Sequence, residues 1–91
     1  MYNKEQVEEG LRNLFNEIFE AIPTKDNCDI TFGDNNNAVI KVIAPKDYNK
    51  VIDFLDSLGN YHRKYTLDLG SFYYILVVVH VPCINWTKFE V

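Results

Sequence analysis

Four side chains in this sequence are of the types that bind zinc, namely Cys28, Cys83, His62 and His80. Structural zinc sites bring such ligands together through short sequence spacings. The chain contains neither a Cys-x2-Cys nor a His-x3-His spacing, and the four residues fall on different predicted elements. The two cysteines are therefore expected to be reduced thiols, and we expect neither a metal site nor a cofactor.

Paired carboxylates are the other residues here that could perform chemistry. Asp53 and Asp56 lie one helical turn apart, but acids on a helix surface are usually solvated. The segment Gly33–Asn37 offers side-chain oxygens, yet it lacks the alternating ligand spacing and the distal Glu of a calcium loop. Phosphate-binding glycine loops and nucleophile motifs are also missing from the sequence. We therefore predict that the protein is not an enzyme.

The charge of the chain is concentrated at one end. The 91 residues have a net charge of −4, and residues 1–30 alone contain three cations and seven carboxylates. Such a segment repels nucleic-acid phosphate, which argues against direct binding of nucleic acid. A basic protein is the natural partner. No apolar run approaches the length that crosses a bilayer, so we expect no membrane contact and a cytoplasmic location.

The acidic segment has the pattern of an amphipathic helix. Asn3 and Gln6 form a capping-box pattern, and apolar residues then recur at helical spacing up to Pro23. This predicts a helix over residues 4–22, with Ile22 in its apolar stripe. The carboxylates outside the stripe define the acidic helix face, which is Glu5, Glu8, Glu9, Glu17 and Glu20. This face is either a docking surface for a basic partner or an ordinary solvated helix surface.

The rest of the chain predicts two hairpins separated by a second helix. Strand patterns cover residues 28–32, 38–43, 61–69 and 72–81, and a helix is expected from Pro45 to a stop at Gly59. The turns fall at Gly33–Asn37 and Gly70-Ser71. We predict a single two-layer α+β domain over residues 1–91, in αββαββ order. Its four-stranded, mainly antiparallel sheet has both helices on one face, as in a permuted ferredoxin-like fold.

The last predicted strand is apolar on both of its faces. If Gly70-Ser71 forms the turn, Leu69 pairs with Phe72, and the face that contains Phe72 is expected to lie under the helices. The opposite face is then left in water, and its residues are Tyr73, Ile75, Val77 and Val79. We interpret this row either as an interface with a second copy of the chain or as a surface covered by Ile84, Trp86 and Phe89 of the C-terminal segment.

These features predict a small, acidic, non-enzymatic protein-binding domain. In size and acidity it is similar to stoichiometric inhibitors, such as immunity proteins that neutralise a nuclease and phage proteins that block a host defence. The expected partner is a basic protein that processes nucleic acid, a nuclease for example, bound through the acidic helix face. The alternative is a structural module that forms a homodimer through the open face of its sheet.

Overall fold

The computed structural model describes residues 3–59, 61 and 63–84 of the chain. Along the sequence these residues form a helix, two strands, a second helix, two more strands and a short 3₁₀ turn. The elements are α1 (Lys4–Phe19), β1 (Cys28–Phe32), β2 (Asn37–Pro45), α2 (Tyr48–Leu58), β3 (Arg63–Asp68), β4 (Phe72–His80) and the 3₁₀ turn Val81–Cys83. The order αββαββ and the antiparallel four-stranded sheet confirm the predicted α+β fold.

Helix α1 begins with the predicted capping box. The Asn3 side chain accepts a hydrogen bond from the Gln6 backbone N–H at 2.8 Å. In return, the Gln6 side chain accepts one from the Asn3 backbone N–H at 3.3 Å. Two of the N–H groups that a helix start leaves unpaired are thereby satisfied.

Helix α1 ends at Phe19, three residues before its predicted end at residue 22. Glu20 adopts the left-handed conformation with φ +55° and ends the helix. Ile22 precedes Pro23, and a residue in that position disfavours the α-helical region. The Ile22 side chain is 79 % exposed, so its assignment to the apolar stripe was wrong.

Helix α2 begins at Tyr48, and the Asp47 side chain caps it by accepting a hydrogen bond from the Lys50 N–H. Pro45 was predicted in the first turn of this helix, but it is the last residue of β2. The helix ends at Gly59 as predicted, and this glycine has φ +82°. Glycine adopts a positive φ readily because it has no Cβ atom.

The sheet has the strand order β1-β2-β4-β3, with every neighbouring pair antiparallel. The first hairpin turns through Asn35 and Asn36, which both have φ +60°. In the second hairpin the Leu69 N–H donates to the Phe72 carbonyl at 2.8 Å, across a turn in which Gly70 has φ +91°. The predicted pairing of Leu69 with Phe72 is therefore confirmed, as is the placement of β2 and β4 at the centre.

One hydrophobic core lies between the sheet and the helices. Phe15, Phe19 and Phe54 form its aromatic centre, with ring centroids 5.1 Å apart for the first pair and 5.5 Å for the second. Ile84 is also buried in this core and does not lie over the opposite side of the sheet, where it was expected as cover, whereas Trp86 and Phe89 lie outside the described residues. Neither helix of the described chain is long and apolar enough to span a membrane.

The assignment of the two faces of β4 was wrong. Ile75, Val77 and Val79 are fully buried in the core, and Tyr73 packs against it. The row that was expected to stay open, Tyr73, Ile75, Val77 and Val79, therefore lies on the side of the helices. The open side of β4 carries the alternating residues Phe72, Tyr74, Leu76 and Val78.

The reason for this exchange lies in the pairing of β4 with β2. Val42, which is fully buried, lies opposite Ile75, and the exposed Lys41 lies opposite Leu76. Residues opposite each other in an antiparallel pair share a face, so the alternation of β2 fixes the faces of β4. The apolar residues Tyr65 and Leu67 of β3 had suggested the opposite assignment, in which the face that they share with Phe72 lies under the helices. All six residues of this edge strand are exposed, so its own pattern does not indicate which face meets the helices.

Candidate interaction surfaces

The acidic helix face lies along the solvent side of α1. Its carboxylates Glu5, Glu9, Glu17 and Glu20 are exposed, and Glu8 is half-buried. The opposite side of the helix buries residues at helical spacing, including Val7, Leu11 and Phe15. The five predicted binding residues are thus spread around the whole exposed side of α1 and do not converge on one point.

Two of these carboxylates form ion pairs. Glu8 Oε2 lies 3.2 Å from Arg12 Nη1 within α1, and Glu20 Oε2 lies 3.8 Å from Nζ of Lys50 in α2. Those that form no ion pair within the described residues are Glu5, Glu9 and Glu17. These three carboxylates are therefore the members of the face with most to gain from a cationic partner.

Two acids of α2 extend this surface. Asp53 and Asp56 line an open groove of about 340 Å³ between the helices, together with Glu17, Leu14, Ile18 and Ser57. The sequence analysis considered Asp53 and Asp56 as a carboxylate pair and judged them solvated, because the pattern of α2 does not show which of its residues face α1. The structure brings them to the same groove as Glu17, although no cluster within the described residues has the geometry to bind a metal ion.

The helix layer and the sheet carry opposite net charges. The helices with their capping residues contain three cations and eight carboxylates, a net charge of −5. The strands contain three cations and two carboxylates, a net charge of +1. The acidity of the chain is therefore a property of one side of the molecule.

The other side of the sheet is mostly apolar, with Asp29, Lys41 and Arg63 as the charged residues among its strands. Register and alternation place nine large apolar residues there, which we call the open sheet face: Val39, Ile43, Tyr65, Leu67, Leu69, Phe72, Tyr74, Leu76 and Val78. Tyr65 is 57 % and Leu67 is 58 % exposed. Soluble proteins rarely leave such contiguous patches in water, which makes this face a candidate for contact with a protein.

Among the described residues, Cys28, Cys83 and His80 belong to no cluster that could hold a metal ion. Cys28 is buried, and its burial raises the pKa of the thiol to about 11, so it is unreactive at neutral pH. Cys83 is exposed. His80 Nδ1 lies 3.3 Å from Asn37 Oδ1, and His62 lies outside the described residues.

Comparison with known proteins adds no relative to this picture. No protein-family model matches the chain, and no curated protein or solved structure is significantly similar to it.

Proposed function

We propose that this chain is a protein-binding domain that acts as a stoichiometric inhibitor of a basic, nucleic-acid-processing protein. The observation that supports this most is the separation of charge, in which the helix layer has a net charge of −5. The carboxylates of that layer meet the Lys and Arg side chains with which the partner holds phosphate. The domain thereby excludes the nucleic acid and needs no chemistry of its own.

The proposed contact surface consists of the acidic helix face of α1 and the groove between the two helices. Glu9 and Glu17 form no ion pair within the described residues, and Glu17 shares the groove with Asp53 and Asp56. Carboxylates on one side of a small molecule attract a cationic surface over a distance of roughly 10 Å at moderate salt. They therefore accelerate the encounter and orient the helix layer toward the partner.

This mode of action is similar to that of immunity proteins and of phage proteins that block a defence nuclease. Like them, the domain would act in the cytoplasm where its target works. The similarity is one of size, acidity and lack of a catalytic motif, and the proposed occlusion of a binding surface calls for a one-to-one complex.

The proposal is tested by reversing charge at two positions that the helix layer does not need for folding. The variant Glu9→Lys/Glu17→Lys changes two exposed side chains of α1. The matched control Asp26→Lys/Asp34→Lys changes the net charge equally, but in the loops before β1 and β2. Each purified chain is used to capture partners from the native host, and the complex is weighed by native mass spectrometry.

We expect the wild-type chain and the loop control to retain one basic protein at equal stoichiometry, and the helix variant to lose it. Rising ionic strength should weaken the wild-type complex, since screening acts on exposed charges. Equal retention by the helix variant and the wild type would refute the proposal.

A second function, assembly through the open sheet face, is favoured by the exposure of Leu67 and Phe72 at 58 % and 48 %. Replacing Phe72, which lies on this face but outside β3, by Glu should then dissociate an oligomer of the wild-type chain. The matched control is Ile22→Glu, which places the same charge at an exposed apolar residue away from the sheet. Sedimentation of the three chains distinguishes assembly from the inhibitor function, because the latter does not require this face.

A further inference from the structure

Strand β3 lies at one edge of the sheet and is exposed on both faces. It pairs with β4 on one side, and no other strand of the described chain pairs with its outer side. All six of its residues are exposed. An edge strand of this kind presents unpaired backbone groups that can hydrogen-bond to another strand.

The backbone groups on the outer side can be assigned from the hairpin. The Leu69 N–H donates to the Phe72 carbonyl. In an antiparallel strand the N–H and C=O of one residue point to one neighbouring strand, and those of the next residue point to the other side. Leu69, Leu67 and Tyr65 therefore direct their backbone groups toward β4. The residues that direct theirs outward are Lys64, Thr66 and Asp68.

We infer that β3 pairs antiparallel with β3 of a second copy of this chain, with the two Thr66 residues opposite each other on a two-fold axis. This arrangement joins two four-stranded sheets into one continuous sheet. It uses the edge of the sheet, not the acidic helix layer, and so does not rest on the proposed function. The strand that pairs with the outer side of β3 belongs to a second copy because the sequence of β3 is complementary to itself.

The complementarity consists of favourable pairs between residues that lie opposite each other in the two copies of β3. With Thr66 on the axis, Lys64 lies opposite Asp68 of the second copy, and Tyr65 lies opposite Leu67 of the second copy. Opposite charges and aromatic–aliphatic pairs are favourable cross-strand neighbours, as are two threonines. Each contact occurs twice, because the axis relates the two copies.

Neighbouring registers lack this match. A two-fold axis perpendicular to the sheet allows only a residue of β3 to face itself across it. With Tyr65 on the axis, Lys64 lies opposite Thr66. With Leu67 on the axis, Thr66 lies opposite Asp68. Only the Thr66 register places two charges of opposite sign directly opposite each other.

The Asp68 carboxylate has room for a second cation. It already accepts hydrogen bonds from Lys46 Nζ at 2.7 and 2.8 Å and from the Gly70 N–H at 2.8 Å, yet its side chain remains 56 % exposed. A carboxylate has about four acceptor positions, so Lys64 of the second copy can bind it from the open side. The pairing also covers part of Tyr65 and Leu67, two of the most exposed members of the open sheet face.

Complementary charge variants test the register. Lys64→Glu places two like charges at each end of the interface, and so does Asp68→Lys. Sedimentation should show a concentration-dependent dimer for the wild type and dissociation constants raised about tenfold or more for each variant. Mixing the two variants restores opposite charges at both ends, so a heterodimer should form. Lys25→Glu, a loop control of equal charge change, should dimerise like the wild type.

Hydrogen exchange provides a readout that does not depend on substitution. In the dimer, the amides of Lys64, Thr66 and Asp68 should exchange slowly, and dilution to the monomer should release them. The amides of Tyr65 and Leu67 should stay protected at both concentrations, since they bond to β4. Thr66→Pro removes one outward N–H, which an edge strand tolerates, and should give a folded monomer.

Several outcomes would overturn the inference. A wild-type chain that stays monomeric up to millimolar concentration contradicts it. So does a Lys64→Glu variant that dimerises as well as the wild type. Protection of the Thr66 amide that persists in the dilute monomer would show that another segment of the same chain occupies this edge.

Discussion

The ammonium group of Lys46 donates hydrogen bonds to both carboxylate oxygens of Asp68, at 2.8 and 2.7 Å. The pair joins the segment between β2 and α2 to the end of the edge strand β3. The same ammonium lies 5.6 Å from the ring centroid of Tyr73, within the range of a cation–π contact. A single lysine thus positions the end of β3 against the central strand β4.

The first prediction concerns the protonation of this pair. The hydrogen bond from Lys46 holds the pKa of Asp68 below its ordinary value, and the Gly70 N–H adds to this effect. Lys46→Met should therefore raise the pKa of Asp68, as measured by NMR titration of its carboxyl carbon. Because the folded-state pKa is lowered, the stabilisation is present above the ordinary pKa and is lost as pH falls through the lowered value. An Asp68 pKa that Lys46→Met leaves unchanged would contradict the hydrogen-bond geometry.

The second prediction separates the two faces of the sheet. Ile75 is fully buried beneath the helices, whereas Leu67 is 58 % exposed on the open sheet face. Ile75→Ala should lower the free energy of unfolding by about 2–5 kcal/mol, because it leaves a cavity in the core. Leu67→Ala should lower it by less than about 1 kcal/mol. Urea unfolding of the monomeric chain measures both.

If the faces were as the sequence alone suggested, the order of these effects would reverse. The comparison uses the same kind of truncation on adjacent strands, so differences in helix stability do not enter it. A larger loss for Leu67→Ala than for Ile75→Ala would mean that the open sheet face is covered.

The third prediction concerns the buried thiol. Burial raises the pKa of Cys28 from 9.0 to about 11, although the charge of Arg12 partly opposes this. Because the folded-state pKa is raised, the stabilisation is complete below about pH 9 and is lost as pH rises toward 11. The free energy of unfolding of the wild type should fall more steeply over this window than that of Cys28→Ala.

A thiol reagent provides an independent measure of the same burial. In the native protein at neutral pH, the exposed Cys83 should react rapidly and Cys28 only on unfolding. Cys83→Ser should therefore leave a native protein with no rapidly reacting thiol. Rapid reaction of that variant would show that Cys28 is accessible.

Local signals predicted most of the fold. The Asn3–Gln6 capping box, the stop at Gly59 and the turn at Gly70 each act within a few residues, and all are present in the structure. The central position of β4 followed from its apolar character on both faces. These features depend on short-range conformational preferences, which the sequence carries directly.

The faces of β4 could not be assigned in the same way. A strand that is apolar on both sides contains no signal for which side meets the helices. That information lies in β2, where buried Val42 alternates with exposed Lys41, and it reaches β4 only through the register of the pair. The groove acids Asp53 and Asp56 were missed for a similar reason, since their proximity to Glu17 depends on how the helices pack.

The central claim, that the helix layer occupies a nucleic-acid-binding surface, is tested most directly by competition on the captured partner. The partner is first bound to a fluorescent oligonucleotide, and its release is followed by anisotropy as the wild-type chain is added. We predict complete release at one equivalent, no release by Glu9→Lys/Glu17→Lys, and normal release by Asp26→Lys/Asp34→Lys. A ternary complex that retains the oligonucleotide at saturating wild-type chain would contradict it.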